Sequence, residues 1–359
     1  MKKIVLYIDS MQRGGAQRVM SVLASHFVEC GIETILVNDI VPVEGISEYT
    51  VSDQLKRIFL DEYITIKGKT LNRILRLRKI INEYKPDCVL SFLGPPNIRM
   101  LIATIGCKCK KAVSVRNDPS KEYGVGVRRL CAKAIFNLAD KCIFQTKDAA
   151  LYFSKRVRRR SRVIFNPVDN MFYKQKWRGK GDDLFMVGRL QPQKNHMLAI
   201  AAFGKIAYLF PQTRLVICGE GVLREKLEDE VQGLGLQDRV VFRGLVTDVA
   251  SELINAKCFV MSSDYEGMPN ALMEAMAIGV PSISTDCPCG GPHSLFSFDK
   301  KLAGILVPCR DKEKLIDAMK CVICDNDLRD SLHLLAKQRA EEFRTDTILK
   351  VWDDYLGLI

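Results

Sequence analysis

What most constrains this chain is a rhythm. Short apolar runs of strand length alternate with segments of helical period, stop, and then alternate again. Lys3 to Asp9 reads as a buried strand. Gly15 to Cys30 has helical periodicity and stops at Gly31, a residue suited to the position just past a helix end. Ile32 to Asn38 is the next strand, and Leu71 to Tyr84 is a helix that ends before Pro86. Cys88 to Phe92, Ala112 to Val115, Cys142 to Gln145 and Val163 to Phe165 are further strands. Strand, helix, strand in this order predicts a parallel sheet with helices on both faces.

The polar, irregular stretch from Asn166 to Asp182 breaks the rhythm. It restarts with a strand at Leu184 to Val187, a helix at His196 to Leu209 and a strand at Arg214 to Cys218. A helix from Leu223 to Gln232 and a strand from Arg239 to Phe242 follow. Strands at Cys258 to Met261 and Ser282 to Ser284 flank a helix from Pro269 to Ile278, and the chain is helical from Asp311 onward. The expectation is an α/β chain of two doubly wound parallel-sheet (Rossmann-like) domains facing a cleft. The domains are placed at 1–168 and 183–344 with a linker at 169–182, and a helix at about 345–359 can pack back on the first domain. Ligands of such sheets bind beyond the carboxyl ends of the strands, which places a site in the cleft.

Composition narrows the class. Hydrophobic residues make up 47% of 359, ordinary for a globular chain that buries two cores. No run of about 18 apolar residues is present, and the apolar start is too short for a leader, so a cytoplasmic protein is expected. Thirteen cysteines, an odd number, favour reduced thiols. The pairs Cys107/Cys109, Cys287/Cys289 and Cys321/Cys324 lack a second pair at zinc-finger spacing, so no metal is expected. The charge of +12 is uneven: residues 1–175 hold 31 Lys+Arg against 16 Asp+Glu, and residues 176–359 hold 23 against 26. An excess confined to one half points to an anionic partner, nucleic acid or membrane. No nucleic-acid module or interleaved aromatic platform is present, which favours the membrane.

Asp264 to Gly279 reads D-Y-E-G-M-P-N-A-L-M-E-A-M-A-I-G. Pro269 fits a first helical position, and Gly279 followed by Pro281 fits a stop. Glu274 is the one charged residue in an apolar helix, where a carboxylate needs hydrogen-bond donors; ribose or sugar hydroxyls are suitable ones, and a neighbouring backbone group or arginine is the alternative. Glu266 lies in the loop before the helix, whose free N–H groups offer a place to a phosphate. Val187-Gly188-Arg189-Leu190 ends a strand and Lys194-Asn195 opens the next helix, so Arg189 and Lys194 can converge on one anionic group. Gly14 and Gly15 let backbone approach a ligand closely, although S-M-Q-R-G-G-A-Q-R is no dinucleotide fingerprint.

Glu266 and Glu274 form E-x7-E. With Ser263 to Asn270 around them and Gly279-Val280-Pro281 after them, the stretch closely resembles the signature of glycosyltransferase family four, retaining enzymes of GT-B fold that build bacterial polysaccharides and lipid-linked oligosaccharides. The resemblance implies a nucleotide diphosphate sugar donor, UDP-linked by family frequency, and no essential metal or cofactor. It makes Arg189, Lys194 and Glu266 the catalytic residues, the two cations neutralising the departing diphosphate. It assigns donor binding to Gly188, Gly267, Met268, Pro269, Asn270 and Glu274, to Glu220, Arg243 and Gly244 near the base and ribose, and to the Gly14-Gly15-Ala16 loop near the phosphates. Retention is commonly explained by front-face attack guided by the leaving phosphate, so no protein nucleophile is nominated. Where many members place a His near the donor sugar, this chain has Arg116-Asn117-Asp118, candidate contacts to sugar or acceptor. Where a Glu usually follows the glycine-rich loop, it has Ser294. His293 beside it reads as a surface histidine.

Two basic stretches, Arg73 to Lys79 within L-N-R-I-L-R-L-R-K-I-I and Lys155 to Arg162, point to docking on an anionic inner membrane face and a lipid-linked or oligosaccharide acceptor. Rival readings are a GT-B epimerase, a soluble-acceptor glucosyltransferase, and a non-catalytic partner of a transferase.

Overall fold

The computed structural model describes residues 1–61 and 69–358, which divide into two compact units: Met1–Asn166 with the C-terminal segment from Ile348, and Pro167–Thr347. Each unit holds one parallel sheet between helices.

In the first unit the strands are β1 (Lys3–Ile8), β2 (Glu33–Asn38), β3 (Lys56–Phe59), β4 (Cys88–Phe92), β5 (Lys110–Ser114), β6 (Lys141–Phe144) and β7 (Ser161–Val163). Their order is β3-β2-β1-β4-β5-β6-β7, all parallel, so the sheet is wound outward both ways from the β1/β4 junction. The helices are α1 (Gly15–Glu29), α2 (Thr70–Tyr84), α3 (Gly94–Ala103), α4 (Pro119–Tyr123), α5 (Gly126–Phe136), α6 (Lys147–Leu151) and α7 (Lys155–Arg159). The β1 run is buried on both faces, which is why it reads as continuous Ile-Val-Leu-Tyr-Ile without alternation. One buried polar cluster crosses the helix layer: Tyr7 Oη donates to Asp39 Oδ1 at 2.6 Å and accepts from Arg99 Nε at 2.8 Å, while Arg73 bonds Asp61 at 2.6 Å.

The second unit opens with α8 (Asn170–Lys174), then β8 (Leu184–Val187), α9 (His196–Ile206), β9 (Leu215–Cys218), α10 (Arg224–Gly233), β10 (Val240–Gly244), α11 (Val249–Leu253), β11 (Cys258–Met261), α12 (Asn270–Ile278) and β12 (Ser282–Asp286). After α13 (Gly291–Phe296) come a hairpin of β13 (Ser297–Phe298) and β14 (Lys301–Leu302), then β15 (Ile305–Pro308), α14 (Lys312–Cys324) and α15 (Asn326–Ala340). The sheet order is β10-β9-β8-β11-β12-β15, again parallel, with its switch between β8 and β11. Seven of the nine residues of α12 are buried, Glu274 among them. Gly279 ends the helix at φ 89°, and a Cβ there would lie 2.4 Å from His333 Nδ1, so only glycine fits.

Three boundaries differ from expectation. The stretch read as a linker belongs to the second unit, because α8 packs on α12 and Trp177 Nε1 donates to the Ala256 carbonyl at 2.7 Å. The last strand of the first sheet is Ser161–Val163, two residues early, because Ser154 caps α7 and the basic run folds as that short helix. The C-terminal α16 (Thr345–Leu356) starts in the second unit, and from Ile348 it belongs to the first; there Trp352 is fully buried and stacks on Phe92 at 5.8 Å.

Candidate functional site

The loops after β8 and β11 leave the sheet at its switch point, the place where open α/β sheets bind ligands. They carry Gly188 to Lys194 and Ser262 to Pro269. Lys194 closes a single 3-10 turn, Pro192–Lys194, and its stem lies against Gly188, whose added Cβ would meet Lys194 Cε at 3.2 Å. Its ammonium donates to Glu266 Oε1 at 2.6 Å, and Glu266 is buried. Ser263 Oγ donates to the same oxygen at 2.8 Å, and Gln193 Nε2 reaches Oε2 at 3.4 Å and the Tyr265 carbonyl at 2.9 Å. Asn195, left-handed at φ 46°, caps α9 through Leu198 N and donates to Asp264 Oδ1 at 2.9 Å, and Arg310 Nη2 holds the other Asp264 oxygen at 2.7 Å. The two loops are thereby stitched side chain to side chain.

Arg189 differs from Lys194. It is exposed, and among the described residues its guanidinium makes no hydrogen bond or ion pair. One cation of the pair is therefore oriented by a carboxylate and the other is uncommitted. Gly267, Met268 and Pro269 are buried and bring the chain to α12, whose cap at Pro269 supplies no side-chain acceptor and whose start carries the positive end of the helix dipole. Glu274 is buried and has an interaction within the protein, so it does not wait on a ligand for a partner. Asn270 is half-buried and likewise engaged.

The next loops join the cluster through backbone. Leu190 N bonds the Glu220 carbonyl at 2.9 Å and Gly219 N bonds the Gly244 carbonyl at 2.7 Å. Gly219 lies so close to the first loop that a Cβ would stand 2.0 Å from the Gly188 carbonyl oxygen. The Glu220 carboxylate lies against Gly244 and pairs with Arg224 at 3.0 Å. Arg243 instead approaches Glu252, at 4.0 Å. Val222 and Leu245 project from these loops and are more than four-fifths exposed, an apolar pair beside Glu220 and Gly244 that sequence reasoning missed. His196, at the start of α9, is buried with no partner on Nδ1 among the described residues, and burial and the Lys194 charge hold its pKa down at about 4. Gln193 and Arg310 also escaped the sequence reading. Gln193 stood in view in the Q-P-Q-K-N string, whereas Arg310 comes from after β15 and left no local trace.

In the first unit the β1/β4 switch point carries the glycine loop. Gly14 caps α1, Gly15 is exposed and Ala16 is buried. Asp9, its carboxyl pushed up by burial, accepts from Ser10 N at 2.8 Å and Gln17 Nε2 at 3.3 Å and so pins the loop. Leu93, directly after β4, sits at φ 75°, a strained angle for a leucine. The Arg116-Asn117-Asp118 loop turns inward. Arg116 is buried, bonds Asn166 Oδ1 at 2.7 Å, covers the Phe92 ring at 4.6 Å, and has its pKa pushed down to about 9 by burial. Its Nε and the Oε2 of Glu122 lack partners among the described residues. Asp118 is committed to capping α4 through Ser120 N at 2.8 Å, which leaves Asn117 the one partly exposed side chain of the three.

The basic helix α2 departs from the reading of a free cationic face. Arg73 is buried against Asp61, and Arg78 donates to the carbonyls of Ala103 at 3.1 Å and Ile105 at 2.7 Å, at and just past the end of α3. Ser294 offers its carbonyl to Arg339 Nη2 at 2.9 Å, and His293 is exposed beside Asp286 at 3.4 Å. None of the thirteen cysteines is in a disulfide.

A family model described as Glycosyl transferases group 1 matches residues 168–339. An uncharacterized glycosyltransferase of Methanocaldococcus jannaschii is 28% identical over 79% of this chain and 82% of its own length. The GalNAc-alpha-(1->4)-GalNAc-alpha-(1->3)-diNAcBac-PP-undecaprenol alpha-1,4-N-acetyl-D-galactosaminyltransferase of Campylobacter jejuni is 27% identical over 98% of this chain and 97% of its own. The crystal structure of Anabaena HepE in complex with UDP shares the fold over 100% of both chains, with a TM-score of 0.81 at 16% identity. Two Rossmann-like units with this switch-point site are the GT-B architecture. The group 1 model lies within the second unit, and together with the full-length relatives it makes the chain a glycosyltransferase.

Proposed function

We propose that this transferase is a retaining enzyme moving a hexosyl or N-acetylhexosaminyl group from a UDP-sugar to a lipid-linked saccharide, in cell-surface polysaccharide synthesis at the cytoplasmic membrane face. The observation that carries the reading is the switch point of the second sheet, where Arg189, Lys194 and the start of α12 leave from adjacent loops. A diphosphate leaving group develops charge as the glycosidic bond breaks, and preorganised cations and amide groups stabilise that charge without added cofactor or metal. Arg189 is free to fold onto the phosphates, and Lys194 is held for them by Glu266. Glu220 and Gly244 serve the ribose, with Val222 and Leu245 presenting apolar surface to the base. In the first unit, Asn117 is the side chain of its loop exposed enough to meet sugar or acceptor. Retention follows from attack on the face the leaving phosphate vacates, and no protein nucleophile is assigned.

The UDP bound to HepE supports the donor, and the undecaprenol acceptor of the Campylobacter enzyme supports the acceptor. The test is product analysis with labelled UDP-sugars and undecaprenyl-diphosphate-linked saccharides. Transfer with the donor's anomeric configuration kept is expected. An inverted product, free sugar alone, or an epimer would overturn the reading.

A further inference from the structure

A surface helix ordinarily turns an apolar stripe inward and a polar face to water. The helix α5 is apolar on both sides. Its inner face buries Ala132 and Phe136, and Phe136 packs edge-on to Tyr123 at 5.1 Å and against Phe153 at 4.4 Å. Its outer face carries Val127, Leu130, Cys131 and Ala134, with Leu138 one turn beyond, a stripe at helical spacing that faces solvent. Val127 is 75% exposed and Leu130 64%, and with Cys131 and Ala134 they form a contiguous apolar stripe rather than single exposed side chains.

The surroundings are cationic. Residues 121–160 hold 11 Lys+Arg against 3 Asp+Glu, an excess of 8 out of the chain's +12, and α5 itself has no acid. The basic helix α7 is fastened beside its end, Ser154 Oγ donating to Asn137 Oδ1 at 2.8 Å, and Arg129 Nε reaches the Tyr152 carbonyl at its start. Lys155, Arg156 and Arg159 on α7 stay exposed.

We infer that α5 is the element by which the first unit enters an anionic lipid surface. The stripe sinks into the acyl boundary, and Arg128, Lys133 and the α7 cations hold headgroups. Two features favour a bilayer over a protein partner. The stripe has no aromatic side chain to anchor an interface. Pairing with a second copy would set two positive borders face to face. The inference deepens the lipid-linked reading of the acceptor and rests on it, and it moves the contact from α2, two of whose three arginines are engaged internally, to α5.

The test is flotation of the full chain with phosphatidylcholine vesicles, with and without about one-third phosphatidylglycerol. Wild type should float with the anionic vesicles only. The variants Val127→Asp/Leu130→Asp and Lys155→Glu/Arg159→Glu should each bind about ten-fold less, while Leu71→Asp/Leu75→Asp on exposed α2 positions should match wild type. Thermal melting and donor turnover in detergent confirm that each variant is folded and active. Equal binding by the α5 variant and wild type, loss confined to the α2 variant, or an α5 variant that converts a dimer to a monomer would each overturn the docking surface. Donor turnover that persists through any of these leaves the transferase reading standing, and its absence in wild type fails that reading separately.

Discussion

Lys194 and Glu266 show why a site residue can also be a structural one. Their 2.6 Å pair is partly buried, so removing the cation strands a carboxylate. Lys194→Ala should lose most turnover and also about 1–3 kcal/mol of stability. Lys194→Gln keeps a donor for Glu266 and should regain most of the melting temperature without regaining kcat. Calorimetric melting alongside donor turnover separates the two effects, and a glutamine variant with wild-type kcat would remove Lys194 from the chemistry. His196 gives a pH signature. Its folded pKa, about 4, lies below the ordinary 6.5, so the unfolded chain binds the proton more readily. Its contribution is fully present above pH 6.5 and is lost as pH falls toward 4, up to about 3 kcal/mol. His196→Phe should flatten the melting temperature across that window, and an unchanged slope would exclude it as the source. At this scale the sequence displayed Arg189, Lys194, Glu266 and Glu274 but not their commitments. It could not show that Arg116 would be buried on Phe92, since nothing local sets which way a loop arginine turns.

At the scale of elements, α12 was legible from the Pro269 start and the Gly279 stop, and its observed span differs by one residue. Gly279→Ala combines a left-handed φ with a Cβ placed on His333, so a loss of at least about 2 kcal/mol is expected in urea unfolding. A midpoint within error of wild type would mean that α15 yields at little cost. The α2 stretch was legible as a helix but not as a surface. Its arginines spaced among leucines match a membrane-facing pattern, yet Asp39, Asp61 and the carbonyls at the end of α3 claim two of them through contacts far apart in sequence. The α5 stripe went unread for the complementary reason: an apolar run looks like core until the structure shows what fails to cover it.

At the scale of the whole molecule, the double rhythm of strands and helices was enough to predict two wound sheets, because parallel strands need crossover helices and leave continuous apolar runs. Neither switch point is visible in the sequence, since strand order depends on pairing between distant segments. Once the order is known, the glycine loop of the first unit and the cationic loop of the second each fall at a switch point, which local pattern alone could not have placed.

The central claim is that the second unit holds a diphosphate at Arg189, Lys194 and the start of α12. Isothermal titration of UDP and of uridine against wild type and Arg189→Ala/Lys194→Gln tests it most directly. Wild type should prefer UDP by about 100-fold, and the double variant should lose at least about ten-fold of that preference while its uridine affinity stays the same. An undiminished preference for UDP in the variant would contradict the account.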